Sequence, residues 1–302
     1  MRSLKVALLG STGQLGRELA PALAAFAEVR CIDRATLDLG ASDDDTVRAV
    51  VRAADVVVNA AAYTCVDAAE SDEATALRVN ALGVRTLARE CARERVALVH
   101  YSTDFVFDGR ADRPYREDDA TGPLSAYGRT KLAGERAVLE SEAAALVLRT
   151  AWVFGVGGRS FVSTILSLAR HREELRVVAD QVGSPTFARD LAAATAQILQ
   201  RVRGDLLGAL SKGAAWPASV VHLAGGGAVS RFDLARTALE LDPHRTTHRV
   251  KSLVPVSSGE HPLPAARPAY AALDCRSAHE RFGVTLPPWR DGLARFLRFA
   301  SA

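Results

Sequence analysis

Over the first half of the chain, short apolar runs alternate with segments of helical spacing. LKVALLG (4–10) is an apolar run ending in glycine, as a buried strand does at its turn. QLGRELAPALAAF (14–26) has helical spacing, VRCID (29–33) reads as a strand, and DDDTVRAVVRAA (43–54) opens with acids that suit a helix N-terminus. DVVVNAAA (55–62) and VALVHYST (96–103) are strands on either side of one long alanine-rich helix over 70–95. A helix over 125–142 and a strand over 144–155 complete the alternation. This order predicts an α/β fold with a doubly wound parallel sheet, its crossovers right-handed.

Beyond residue 155 the pattern becomes mixed. Helices are expected over 160–175, 186–203, 230–241 and 286–299. A short strand and turn are expected over 175–186, and a strand ending in glycines over 220–227. The proline-rich stretch 242–270 reads as irregular. No repeat and no flexible linker interrupts the chain.

Composition narrows the function classes. The 302 residues are 48% apolar and 24% charged, a globular balance. The net charge of +3, with no run of like charge long enough to suggest a tail, leaves no electrostatic footprint for nucleic acid. Cys31, Cys65, Cys91 and Cys275 stand far apart, without the paired spacing of a zinc site, and so few cysteines suit the cytoplasm. The seven histidines are scattered and read as surface or packing residues. No signal peptide and no membrane span is expected.

The loop Gly10-Ser11-Thr12-Gly13-Gln14-Leu15-Gly16 follows a strand and opens a helix. Glycines there permit a tight turn and close backbone approach to a pyrophosphate, which a helix N-terminus stabilises. The first domain is therefore expected to bind a dinucleotide and to span 1–155, with the chain returning to it around 186–224. Residues 156–302 form mainly a smaller substrate-binding part. Asp33 ends the second strand, 17 residues after Gly16, where an acid can bind the adenosine ribose. Arg34 could instead pair with a 2′-phosphate, so NADPH and NADH both stay open as cofactors. Asp38 and Leu39 join this candidate set. So do Ala60, Ala61, Ala62 and Tyr63, where small residues after the third strand allow close ligand approach. Thr103 and Asp104 end the fourth strand at the same edge. Tyr127 and Lys131 stand one turn apart on the following helix, so their side chains share a face.

GSTGQLG, NAAAYT, STDFVFDG and YGRTK, in this order, resemble an extended short-chain dehydrogenase/reductase of Rossmann-like fold. VDAAE (66–70), TAWVFG (150–155), DQVGSPT (180–186) and LPAARP (263–268) narrow the likeness to the dTDP-4-dehydrorhamnose reductase family. The resemblance implies hydride transfer from a nicotinamide to C4 of a 4-keto-6-deoxy sugar nucleotide. It implies a catalytic set of Thr103, Tyr127 and Lys131, with Lys131 also holding the nicotinamide ribose. A nearby cation is expected to lower the Tyr127 pKa from its ordinary value of about 10. Asp104 and Trp152 match sugar-contacting positions. Arg267 is expected at the pyrophosphate, and Asn80 is expected to place active-site backbone.

Some members of that family bind magnesium through glutamates at a dimer interface. Glu18 matches one of them, but Arg189 stands where a second would be, with Asp190 beside it. No metal is therefore expected, and monomer and homodimer both stay open. The implied partner is a dTDP-sugar. The alternatives are a 4-ketoreductase for another nucleotide-activated deoxysugar and a non-catalytic, cofactor-binding regulatory subunit like that of methionine adenosyltransferase.

Overall fold

The computed structural model describes residues 3–212 and 217–300. The chain begins β1 (Leu4–Leu9), α1 (Gln14–Ala24), β2 (Ala27–Ile32), α2 (Asp44–Arg52) and β3 (Val56–Asn59). Then come α3 (Ala68–Ser71), α4 (Glu73–Leu77), a π-helical turn (Arg78–Leu82), α5 (Gly83–Glu94) and β4 (Ala97–Thr103). A 3-10 turn (Asp104–Val106) leads to α6 (Ala126–Leu139), β5 (Ala145–Thr150), β6 (Val153–Phe154) and α7 (Phe161–Ala169). The rest comprises β7 (Glu174–Val178), β8 (Val182–Gly183), β9 (Thr186–Phe187), α8 (Ala188–Lys212), β10 (Ser219–His222), β11 (Val229–Ser230), α9 (Arg231–Leu241), β12 (Ser252–Val256), α10 (Arg276–Phe282) and α11 (Trp289–Ala300).

Six strands form one parallel sheet in the order β10-β5-β4-β3-β1-β2. β3, β4 and β5 are buried along their whole length, because helices cover both faces. One core layer sets α1, α8 and α10 against the sheet, and the other sets α2 and α5 against it. The strand order reverses between β1 and β3, and ligands enter open α/β sheets at the carboxyl ends of strands beside such a switch.

The long helix expected over 70–95 is broken. α3 stops at Ser71, the Asp72 carboxylate caps α4 by accepting from Thr75 N, and the π-turn follows before α5. That turn aims Asn80 inward, and π-turns recur where a side chain must be re-aimed for function. The strand expected over 144–155 divides at Ala151–Trp152, where Trp152 takes a left-handed φ of 44°. The stretch 242–270 is not wholly irregular. β12 pairs in parallel with β7 alone, and a two-stranded ladder tolerates Pro255 because one side of the strand needs no N–H donor. The helix expected over 186–203 runs on to Lys212, and α10 was not foreseen. Among the described residues, no helix is long and apolar enough to cross a membrane.

Candidate active site

The glycine loop forms as its spacing requires. Gly10 has φ 72°, and a Cβ there would stand 2.7 Å from Ala61 N, so the turn after β1 packs directly on the loop after β3. A Cβ on Gly16 would collide with the Gly10 carbonyl, which brings α1 hard against β1. Gly13 is the N-cap of α1 and has no side chain to cap it, so the first-turn N–H groups face outward for an anion. Ser11, Thr12 and Gln14 line the open rim, Leu15 packs against the core, and Gln14 Nε2 donates to Gly155 O at 3.2 Å. Ala60, Ala61 and Ala62 lie half-exposed opposite, followed by Tyr63. Asn80 pins Tyr63 from both sides: Tyr63 N donates to Oδ1 at 2.9 Å, and Nδ2 donates to Tyr63 O at 3.1 Å. This cradle of small residues over a helix N-terminus fits a dinucleotide.

Thr103 closes β4, and its Oγ1 accepts from Phe105 N at 3.2 Å while donating to Asp104 Oδ1 at 3.0 Å. Asp104 is 1% exposed, and its Oδ2 has no hydrogen-bond partner among the described residues. Burial pushes its carboxyl up to about 7, against the Thr103 hydrogen bond and the Arg231 guanidinium. α6 enters beside it. Ser125 caps the helix by accepting from Gly128 N, and Ala126 N donates to Glu70 Oε1 at 2.8 Å. Tyr127 thus comes into the first turn, edge-on to Phe105 at 5.5 Å between ring centroids. Burial pushes its hydroxyl up to about 12, with the Thr103 hydroxyl pulling the other way.

One turn on, Lys131 is 2% exposed. Its Nζ donates to Tyr101 O at 2.7 Å and faces His100 Nε2 at 3.5 Å. Burial draws it down to about 8, opposed by Glu135. The expectation that a cation lowers the Tyr127 pKa is therefore corrected for the free chain. Desolvation governs Tyr127, and Lys131 directs its hydrogen bonds to β4.

Trp152 projects from the strained turn after β5. Its indole packs so tightly on Gly183 that a Cβ there would stand 2.5 Å from Cε2. The Arg231 guanidinium stacks over it, 3.5 Å from the ring centroid.

A family model described as RmlD substrate binding domain matches residues 4–301. The chain is 43% identical over 293 residues to dTDP-4-dehydrorhamnose reductase of Burkholderia thailandensis, covering 95% of this chain and 96% of that protein. It belongs to the dTDP-4-dehydrorhamnose reductase family. The Escherichia coli enzyme of that name is 38% identical, with 97% of each chain covered. A dTDP-4-dehydrorhamnose reductase of Bacillus anthracis, solved in complex with NADP, superposes with a TM-score of 0.85 at 31% identity, covering 99% of this chain and 100% of that one. The Clostridium acetobutylicum structure gives 0.86 at 32% identity over the same shares.

Several expected family residues are engaged elsewhere. Arg267 grips Asp67 through two nitrogens at 3.0 and 2.8 Å, tying the 263–268 segment to the loop before α3. Asp33 Oδ1 caps a turn, accepting from Thr36 N at 2.8 Å and Thr36 Oγ1 at 2.7 Å. Arg34 pairs with Asp38 at 2.9 Å on the open surface. The Leu39 side chain is buried in the core under α5, so only its backbone could reach a ligand. Glu18 pairs with Arg189 at 2.9 Å, and Asp190 with Arg295 at 2.6 Å. Among the described residues, no group of three His, Cys, Asp or Glu side chains could hold a metal. Sequence reasoning passed over Arg231, Asn59 and His100. Arg231 lies in the helix expected over 230–241, Asn59 only opens the small-residue stretch after the third strand, and His100 reads as a surface or packing histidine.

Proposed function

We propose that the chain reduces the C4 keto group of dTDP-4-dehydro-L-rhamnose to give dTDP-L-rhamnose, using NADPH or NADH. The observation that carries this reading is the meeting of Thr103, Asp104, Tyr127 and Lys131 where the carboxyl end of β4 faces the first turns of α6. That end adjoins the glycine cradle between β1 and β3.

The dinucleotide would lie along Gly10–Gly16, with Ala60, Ala61, Ala62 and Tyr63 beside it and Asp33, Arg34 or Asp38 at its adenosine end. When bound, the reduced nicotinamide supplies the hydride. Tyr127 donates the proton to the C4 oxygen. A hydroxyl held near 12 stays protonated at neutral pH, as a donor must before the reaction. Thr103 would orient the same oxygen by turning its one hydroxyl proton from Asp104 Oδ1 to it. Lys131 would hold the nicotinamide ribose. The unpartnered Oδ2 of Asp104 accepts from a sugar hydroxyl, and Trp152 with Arg231 over it forms the wall against the hexose. Arg267 would reach the pyrophosphate only by exchanging Asp67 for it.

The dinucleotide-binding part is residues 1–155 with the returning segment 186–224, and the remainder mainly binds substrate. No divalent ion is expected at Glu18, because the Arg189 guanidinium already pairs with its carboxylate. The partner is a dTDP-sugar, with neither nucleic acid nor membrane involved. We place the protein in the cytoplasm, as a monomer or homodimer.

The test mixes the purified protein with dTDP-4-dehydro-L-rhamnose made in situ, and with NADPH or NADH separately. Loss of reduced-nicotinamide absorbance and NMR of the product are followed. Fast conversion to dTDP-L-rhamnose is expected. Cofactor binding without turnover of this sugar would point to another keto-sugar or to a regulatory subunit.

A further inference from the structure

Three residues that meet under the site come from three elements. Asn59 ends β3, His100 lies in β4 and Lys131 in α6, and they are 1%, 0% and 2% exposed. The Asn59 amide is oriented by its neighbour, because Ala61 N donates to Oδ1 at 3.0 Å. Its Nδ2 therefore faces His100 Nδ1, at 3.1 Å. An amide nitrogen only donates, so Nδ1 accepts. A neutral imidazole that accepts at Nδ1 carries its proton on Nε2. Nε2 faces Lys131 Nζ at 3.5 Å, while Nζ donates to Tyr101 O at 2.7 Å.

This geometry distinguishes the two states of the lysine. An uncharged amine donates to the Tyr101 carbonyl and offers its lone pair to the imidazole N–H. An ammonium has no lone pair, and its charge would face an N–H dipole in a buried site. We propose that Asn59 and His100 are positioning residues for Lys131, locking the imidazole proton on Nε2 and thereby favouring the uncharged amine in the free chain.

The other groups around Lys131 do not reverse this. Tyr127 lies one turn before it, and its hydroxyl is protonated. Glu135 lies one turn after it, but both its oxygens are held by Arg149 of β5, at 2.9 and 2.8 Å. From the π-turn, the polar group brought against α6 is Asn80, which is uncharged and bonded to Thr130 Oγ1. Burial of the amine acts in the same direction. The inference rests on Lys131 belonging to the catalytic set, but its test does not require turnover.

The full chain holds four lysines, Lys5, Lys131, Lys212 and Lys251, so a protein labelled with 13C at lysine Cε gives few signals to follow. Lys131 is assigned by the signal lost in Lys131→Met. Its midpoint is expected at least one pH unit below the other three. In 15N-labelled wild type, the His100 ring should show a bare Nδ1 and a protonated Nε2. Asn59→Asp keeps the shape and the Ala61 bond but draws the imidazole proton to Nδ1, turning an acceptor toward Lys131. The Lys131 midpoint should then rise by about one pH unit or more. His100 protonated on Nδ1 in wild type, or Lys131 titrating with the other lysines, would overturn the proposal without bearing on the reaction. Either wild-type result stands whether or not the variant folds. A folded Asn59→Asp protein with an unmoved Lys131 midpoint would also overturn it.

Discussion

Two buried polar clusters lie along the same helix and strands, and they differ in how completely they are satisfied. In one, Glu135 of α6 gives both oxygens to Arg149 of β5. Arg149 also lies over the Phe107 ring and faces His222 Nε2 at 3.5 Å, and His222 Nδ1 meets the Tyr115 carbonyl at 3.0 Å. In the other, one turn or two toward the carboxyl edge, Ser102 Oγ, Asp104 Oδ2 and Thr150 Oγ1 are buried without hydrogen-bond partners among the described residues. A buried polar group left unpaired costs about 1–3 kcal/mol, so such groups persist where something else requires them. The closed cluster fixes the distance between α6 and β5. In the open one, Asp104 Oδ2 is the acceptor proposed for a sugar hydroxyl, and Ser102 Oγ and Thr150 Oγ1 are still able to take a partner. Satisfaction, more than burial or charge, separates framework from site here.

The comparison can be broken most severely from the open side. Tyr127→Phe should lower kcat/KM by about 10²–10⁴-fold, the usual contribution of a positioned general acid, with cofactor affinity kept. Steady-state kinetics beside a cofactor titration would check it, and full activity would remove Tyr127 from the proposed mechanism. On the closed side, Arg149→Met leaves the Glu135 carboxylate buried without its partner. The expected cost is about 3–5 kcal/mol of stability, read from the urea midpoint at unchanged slope.

Asp104 sharpens the contrast through pH. Its carboxyl is held at about 7 in the folded chain, above the ordinary value of about 3.9. Between those values the folded chain binds more protons than the unfolded one, so stability falls as pH rises through that window. The full span corresponds to at most ~4 kcal/mol. Asp104→Asn should flatten this decline relative to wild type in urea unfolding followed from pH 4 to pH 8. A wild-type-like decline in the variant would place the proton elsewhere. The smallest effect is expected at Arg231. Arg231→Gln removes the cation over Trp152 and should raise KM for the sugar nucleotide about tenfold, or about 1.4 kcal/mol, with kcat little changed.

Much of the site could be read in the chain because its residues mark local structure. The glycine loop is fixed by a backbone conformation and two close approaches, and both need residues without a Cβ. Tyr127 and Lys131 share a face because of helical spacing. Thr103 and Asp104 stand at a strand end. Arg231 lies 127 positions beyond Asp104 and gains meaning only when α9 is brought against Trp152. Arg267 shows the converse. Its segment looked free to meet a phosphate, but folding places Asp67 within 2.8 Å of it. The broken helix after β3 was hidden because its alanines are equally compatible with continuous helix.

By itself, then, the sequence determined the alternation of buried strands and amphipathic helices, the turn that receives a dinucleotide, and the order of the catalytic candidates. These depend on backbone sterics and on neighbours within a turn or two. Only the tertiary structure decided which buried polar atoms found partners, which group the His100 ring meets, and that desolvation governs the Tyr127 hydroxyl. Proton affinities and hydrogen-bond satisfaction depend on the summed field and packing of groups distant along the chain, and those meet only once the sheet has assembled.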